Sequence, residues 1–335
     1  MAIHASEAVA PTRIDLAGGT LDIWPISQLI EDAVTVNVAV RLAARARVAP
    51  RRDRKLEVTS VDRERSVVLD LPLTPRAFSG PLSWPVRLAH AFAPGVPLTL
   101  TCHAQAPAGA GLGGSSALGI AIGAALARAT GERLGKDALL ARVMNLETRE
   151  IGVPTGNQDY LAALWGGLAA YRHGPDGVAR HALPGIDGLG ERLVLAYTGQ
   201  PRQSGFSNWD MFRRYVDGER KTTRRMHTIA RIACAMRDAL ASGDLDGAGR
   251  LLGEEGRLRY SLAPSVATPA LSRADRAARR AGALGAKACG AGGGGCLVAF
   301  ARDGRQDAVA EAIARTGATI LPVRVARRGV SVSGS

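Results

Sequence analysis

Residues 107–119 read Pro-Ala-Gly-Ala-Gly-Leu-Gly-Gly-Ser-Ser-Ala-Leu-Gly, and no other stretch restricts the chain as much. Closely spaced glycines deliver Ser115 and Ser116 into a run of small apolar residues. Glycine tolerates positive φ and lets a backbone approach an anion closely, while the unpaired N–H groups and dipole of a starting helix favour negative charge. The segment predicts a phosphate cradle. Residues 97–104 alternate as a half-buried strand and residues 115–130 read as a helix, so the loop has the strand-loop-helix setting a cradle needs. A Walker loop would place a lysine just before the serine, and none occurs; a strand-borne VAIK motif is also missing. P-loop enzymes and protein kinases are therefore disfavoured. The purely structural alternative is a glycine-rich loop before a tightly packed Ala/Gly helix.

The runs at 33–40, 56–60 and 66–71 read as antiparallel strands around a charged turn at 51–55. Helices are predicted over 115–130 and 136–151, with a short one after the breakers Pro154 and Gly156. Strands near 167–172 and 192–198 precede predicted helices at 207–218, 220–242, 244–253 and 268–282. A strand at 296–301, a helix at 305–316 and a strand at 320–325 close the chain as a split β-α-β pattern. At 335 residues and 46% hydrophobic content, two domains or one large one are expected.

The net charge is +13, and its densest run is Arg213, Arg214, Arg220, Lys221, Arg224 and Arg225. Only 4% of residues are aromatic and no nucleic-acid reading module is visible, so this run reads as a solvated helix face and nucleic acid is disfavoured as a partner. Neither the four cysteines nor the six histidines have ligand spacing, so no disulfide framework or zinc site is expected. No signal segment or membrane span is present, and the expectation is a cytoplasmic protein with no membrane partner. A homodimer stays open.

Two more segments belong with the loop: Ala-Pro-Thr-Arg-Ile-Asp-Leu-Ala-Gly-Gly-Thr-Leu-Asp (10–22) and Gly-Ala-Lys-Ala-Cys-Gly-Ala-Gly-Gly-Gly-Gly-Cys (285–296). Together the three resemble the signature motifs of the GHMP kinases, the family of galactokinase, homoserine kinase, mevalonate kinase and phosphomevalonate kinase. The resemblance spans nearly the whole chain. It implies an α+β protein with a ribosomal-S5-like N-terminal domain over 1–180, a ferredoxin-like C-terminal domain over 190–335, and a site between them.

The same resemblance implies an ATP site built by Pro107, Gly109, Gly111, Leu112, Gly113, Gly114, Ser115, Ser116 and Ala117. Mg²⁺ would be held by Ser116 and Glu147, with Glu150 a rival one turn away. A hydroxyl, a carboxylate and phosphate oxygens suit that hard cation. A fourth segment, Gly-Val-Pro-Thr-Gly-Asn-Gln-Asp-Tyr (152–160), matches the one that carries the family's active-site aspartate, here Asp159. Asp159 would orient the acceptor hydroxyl and take its proton, although a loose phosphoryl-transfer transition state needs little early deprotonation; its structural alternative is a helix N-cap. Arg13 is the second catalytic candidate, a fixed cation at the place where mevalonate kinases carry lysine and galactokinases arginine.

Acceptor binding is expected of Asp15, Gly18, Gly19, Thr20, Asp22, Gly292 and Gly293, with Asp22 able to accept two hydroxyl hydrogen bonds. Asp15 could instead be a structural polar residue, and the 285–296 motif is expected to position the loop. Within the family the segments look most like bacterial heptose 7-phosphate kinases, which act on an anomeric hydroxyl. Leu21 between Thr20 and Asp22, and Tyr160 after Asp159, depart from that pattern. An anchor for a substrate phosphate would be an arginine, with Arg202 first and Arg257 and Arg259 behind it. A mevalonate-type or free-sugar kinase is the alternative within the family, and a noncatalytic ligand sensor the alternative outside it.

Overall fold

The computed structural model describes residues 3–184, 186–201, 206–262, 266–290 and 292–334. Its first half comprises β1 (Ser6–Ala17), α1 (Ile26–Leu29), β2 (Val34–Pro50), β3 (Lys55–Ser60), β4 (Arg65–Asp70), α2 (Ser83–Phe92), β5 (Leu98–Ala104), α3 (Gly114–Thr130), α4 (Lys136–Ile151), α5 (Gln158–Trp165), β6 (Leu168–Gly174) and β7 (Gly177–Ala182). The chain continues through α6 (Ile186–Leu189), β8 (Leu193–Tyr197), α7 (Phe206–Val216), α8 (Arg220–Ala241), α9 (Leu245–Leu262), α10 (Pro269–Arg280), β9 (Ala283–Ala288), β10 (Cys296–Ala301), α11 (Gln306–Ala314), β11 (Thr319–Leu321) and β12 (Ser331–Gly334).

The 17-residue β2 organises an eight-stranded sheet. β1 pairs antiparallel along one edge of it, while on the other edge Val34–Val38 meets β6 and Ala44–Pro50 meets β5. Against this sheet lies α3, whose small apolar residues are buried on nearly every side, as a helix without a polar face requires. α2 and α4 cover α3 and complete that core. Pro85 sits in the first turn of α2, where its missing N–H is tolerated, so the proline that hides this helix from a sequence reading does not break it.

The second sheet has the order β11-β8-β10-β9, every neighbour antiparallel. In chain order that is 4-1-3-2, the ferredoxin-like arrangement, with β8 inserted between the two strands of the closing β-α-β pattern. The last of these strands is shorter than expected. Pro322 has no N–H with which to extend the ladder, and the chain turns back so that Ala326 N donates to Ala39 O and β12 pairs with β1. The final residues thus lie on the first sheet. An apolar cluster joins the two sheets, with Ile14, Leu16 and Val36 meeting Leu195, Leu252 and Phe300.

The sequence reading ends a helix at Gly253, whereas α9 runs on to Leu262. Its glycines are a packing face. A Cβ on Gly253 would stand 2.7 Å from Gly285 Cα, and one on Gly256 2.5 Å from Ala286 O, so the helix lies directly on the β9 backbone. Burial outweighs the propensity cost of glycine, and the extra two turns carry Glu255 and Arg259 to the end of β1. Among the described residues no helix is long and apolar enough to cross a membrane. The basic run divides between α7 and α8, and Arg213 and Arg214 pair with Asp210.

Gly253→Ala should therefore destabilise the protein by about 1–3 kcal/mol, as overpacking does, even though alanine is the better helix former. Urea denaturation checks this, and an unchanged or raised midpoint would mean that α9 does not need contact with β9.

Candidate active site

The chain leaves β5 at Ala104 and enters α3 at Gly114, with Gly113 as N-cap at φ +71°. A Cβ on Gly113 would lie 3.0 Å from Asp159 Cγ, so this position needs glycine both for its backbone and for its neighbour. The loop is fastened from two sides. Arg13 donates from Nη1 to Gly111 O (2.7 Å) and from its backbone N–H to Leu112 O (3.0 Å). Cys296 N donates to Ala110 O (2.8 Å), and Gly295 is close enough that a Cβ there would meet Gly109 O and Ala110 O at 2.7 Å. The 285–296 motif thus braces the loop.

A cavity of about 340 Å³ opens over this loop. Pro107, Gly109, Gly111, Leu112, Gly113, Gly114, Ser115 and Ser116 all line it, together with Trp84, Glu147 and Asp159. Ala117, in the first turn of α3, is buried in the core instead. Ser116 Oγ (3.1 Å) and Tyr160 OH (2.6 Å) both donate to Glu147 Oε2, and burial pushes the Glu147 carboxyl up from its ordinary pKa. Glu150 faces elsewhere, toward α2, where Arg87 Nε donates to it at 2.6 Å and Ser83 also bonds it.

Among the described residues no cluster of three His, Cys, Asp or Glu side chains could hold a metal by itself. The Ser116–Glu147 pair fits a hard divalent cation that draws its remaining oxygens from phosphate.

Asp159 lies in the first turn of α5, where Asn157 is the N-cap residue, so its carboxylate is not used as a cap. Oδ1 accepts from Arg13 Nε at 2.7 Å and Nη2 at 2.5 Å. Arg13 is 3% exposed, not a surface arginine, and the charges of Asp159 and Asp15 raise its pKa against the opposing effect of burial.

Beyond Asp159 lies a smaller cavity of about 60 Å³, lined by Arg13, Asp15, Gly19, Thr20, Asp22, Gln158, Asp159 and Arg259. Asp159 borders both cavities. Lys287 Nζ bonds Asp15 Oδ2 (3.1 Å) and Glu255 Oε1 (2.9 Å), and Arg259 Nε bonds Glu255 Oε1 (2.7 Å). These pairs leave Asp22 as the carboxylate without an ion-pair partner among the described residues. Its Oδ2 accepts the Gln158 N–H (2.9 Å), yet burial pushes its pKa up to about 6, with a further push from Asp159. Asp15 Oδ1 and Gln158 Oε1 are buried acceptors with no hydrogen-bond partner among the described residues.

The expected acceptor residues therefore do not all converge. Gly18 packs against β2 and α8, Gly292 and Gly293 lie against Val266, and Gly290 of the same run lines the small cavity. Arg257 is exposed and Arg202 lies outside the described residues. Lys287, Glu255 and Gln158 escape the sequence reading. The one visible signal is Lys287, a lone charge in an apolar strand; Glu255, next to Glu254 and Arg257, looks like part of a solvated helix face.

Comparisons with known proteins bear on the family and the fold. A model described as the GHMP kinases N terminal domain matches residues 84–167, and one described as GHMP kinases C terminal matches residues 236–319. The chain is 31% identical to a mevalonate kinase of Pyrococcus horikoshii over 243 residues, 71% of this chain and 69% of that one. It is 28% identical to a D-glycero-alpha-D-manno-heptose 7-phosphate kinase of Campylobacter jejuni over 211 residues, 61% of this chain and 62% of that one. The crystal structure of a D-glycero-D-manno-heptose 1-phosphate kinase from Bacteroides thetaiotaomicron shares the fold, with a TM-score of 0.79, 22% identity and 98% of each chain covered.

Asp22 gives a pH-dependent prediction. Its carboxyl titrates at about 6 when folded, against an ordinary 3.8, so the folded state binds this proton more tightly than the unfolded state does. The charged form costs stability above pH 6, and the cost fades as pH falls toward 4. Asp22→Asn keeps an acceptor for Gln158 N–H and should stabilise the protein at pH 7.5 by up to about 3 kcal/mol. Thermal melts of both proteins at pH 7.5 and 4.5 test this; a gain that is equal at the two pH values would refute the burial argument.

Proposed function

The chain belongs to the GHMP kinase family, and on that premise we propose that it transfers the γ-phosphoryl group of ATP to a hydroxyl of a sugar phosphate, the anomeric hydroxyl of a heptose 7-phosphate being the best candidate. Members of this family are ATP-dependent phosphotransferases that generally use Mg²⁺, and this chain is a sugar-type or mevalonate-type member. The observation that carries the reading is that Asp159 borders both cavities. A nucleotide phosphate over the loop and a hydroxyl in the smaller cavity would meet at its carboxylate.

In this reading the N–H groups at the start of α3 cradle the phosphates, and Ser116 and Glu147 hold the divalent cation. When bound, that ion neutralises charge on the transferring phosphates. Arg13 occupies Oδ1 of Asp159, which leaves Oδ2 to orient the acceptor hydroxyl and receive its proton as the bond to phosphorus forms. Because Arg13 also bonds Gly111 O, one guanidinium sets the spacing between the carboxylate and the phosphate loop.

The charge balance favours a sugar over mevalonate. An anion seated in the small cavity would need a cation to spare, and among the described residues there Arg13, Arg259 and Lys287 are each paired with carboxylates already, so this cavity suits the hydroxyl-bearing part of an acceptor and the acceptor's phosphate would lie outside it. The small cavity offers instead the Asp22 carboxylate, Gln158 Oε1 and Asp15 Oδ1, all acceptors. A polyol supplies the donors these need. The distal phosphate is assigned to Arg202 on sequence alone.

Asp159→Asn should lower kcat by about 10²–10⁴-fold while leaving ATP affinity within a few-fold, measured by ADP release and by nucleotide titration. Full turnover in that variant would remove Asp159 from the chemistry. ADP release with Mg-ATP should also be fastest with heptose 7-phosphate in a panel that includes mannose, galactose and mevalonate. Turnover of mevalonate with none on any sugar would overturn the acceptor reading.

A further inference from the structure

Four buried charges gather at one wall of the small cavity: Asp15 on β1 and Arg259 on α9 line it, with Lys287 on β9 and Glu255 on α9 behind them. Lys287, Glu255 and Asp15 are 0% exposed, and Arg259 is 4% exposed. Desolvating such a set costs several kcal/mol per ion, and apolar residues of similar volume often serve stability as well or better. The hydrogen bonds they make to the backbone suggest another purpose. Glu255 uses one oxygen to receive Lys287 and Arg259, and its other oxygen, Oε2, accepts the Gly18 N–H at 2.9 Å. The Arg259 guanidinium donates to Gly19 O from Nη2 and reaches Thr20 Oγ1 at 3.5 Å from Nη1. Both ends of a three-residue turn are thereby held.

That turn is strained. Thr20 has φ +80°, a region disfavoured for a β-branched residue, which persists where the surroundings over-determine the backbone. It immediately precedes Leu21 and Asp22, and both Thr20 and Asp22 line the small cavity. The clamp also crosses the molecule, since Asp15 and the turn belong to the first sheet while Lys287, Glu255 and Arg259 belong to the layer of the second.

We propose that Lys287, Glu255 and Arg259 act as positioning residues, anchored on β1 through the Lys287–Asp15 pair, clamping the Gly18–Thr20 turn in its strained form so that Thr20 and Asp22 face the acceptor. The clamp makes the geometry of the acceptor site depend on how α9 and β9 are docked against β1, whereas the phosphate loop is held separately by Arg13 and Cys296. The proposal rests on the reading of the small cavity as the acceptor site.

The test pairs Glu255→Gln, which alters a residue outside the cavity lining, with Arg259→Lys, which keeps the charge and loses the forked contact. Backbone amide hydrogen exchange is followed for residues 18–23 and 107–117 in the full-length protein. Exchange over 18–23 should accelerate at least tenfold while 107–117 stays unchanged, and acceptor KM should rise at least tenfold while the KM for ATP stays within twofold. Should Glu255→Gln fail to fold, Arg259→Lys decides by the exchange comparison of 18–23 against 107–117, because Arg259 itself lines the small cavity. Unchanged exchange over 18–23, or equal loosening of both segments, would overturn the clamp, as would a parallel rise in both KM values. Absence of turnover by the parent on every acceptor would count against the functional reading, leaving exchange to decide on the clamp.

Discussion

One buried guanidinium holds the candidate site together. Arg13, near the inner end of β1, has almost no contact with water, so its charge must be answered by protein groups. It is answered by Asp159 from α5 and by the carbonyl of Gly111 in the phosphate loop. Three elements far apart in sequence converge on a single planar fork, whose fixed geometry suits it to hold a carboxylate and a carbonyl at once. Gly113 follows from this. With Asp159 drawn to Arg13, the loop has no room for a side chain where it enters α3.

The small cavity works on a different balance. Its cations are each paired with carboxylates, and Asp22, a carboxylate with no ion-pair partner among the described residues, sits in a buried place that disfavours its charge. Such an arrangement costs the empty protein stability and offers a donor-rich ligand a strong acceptor. Strain at Thr20 lies at the same end of the cavity. A polar defect and a backbone defect thus lie two residues apart, both at the wall of the small cavity.

Much of the architecture was legible in the sequence because it follows from local pattern. The alternation at 97–104, the small-residue helix beginning near 115 and the closing strand-helix-strand segment are set by periodicity and turn chemistry, and they stand in the structure within a few residues of where they were expected. Where the reading fell short, tertiary packing had reversed a local preference. Gly253 and Gly256 look like a helix end and are instead the surface on which α9 meets β9. Pro322 cut short a strand whose β-branched pattern continues to Val325.

The sequence by itself determined the family and the strand-loop-helix setting of residues 98–130, and it singled out Arg13, Asp159 and Ser116 as candidates, because glycine spacing and motif order are properties of the chain read in a line. Only the tertiary structure decided which carboxylate stands beside Ser116, that Lys287, Glu255 and Arg259 gather behind the Gly18–Gly19 turn, and that Asp22 has no ion-pair partner among the described residues. Charge pairing among residues up to 272 positions apart depends on which elements the fold brings together. Periodicity in a single strand or helix carries no record of that pairing.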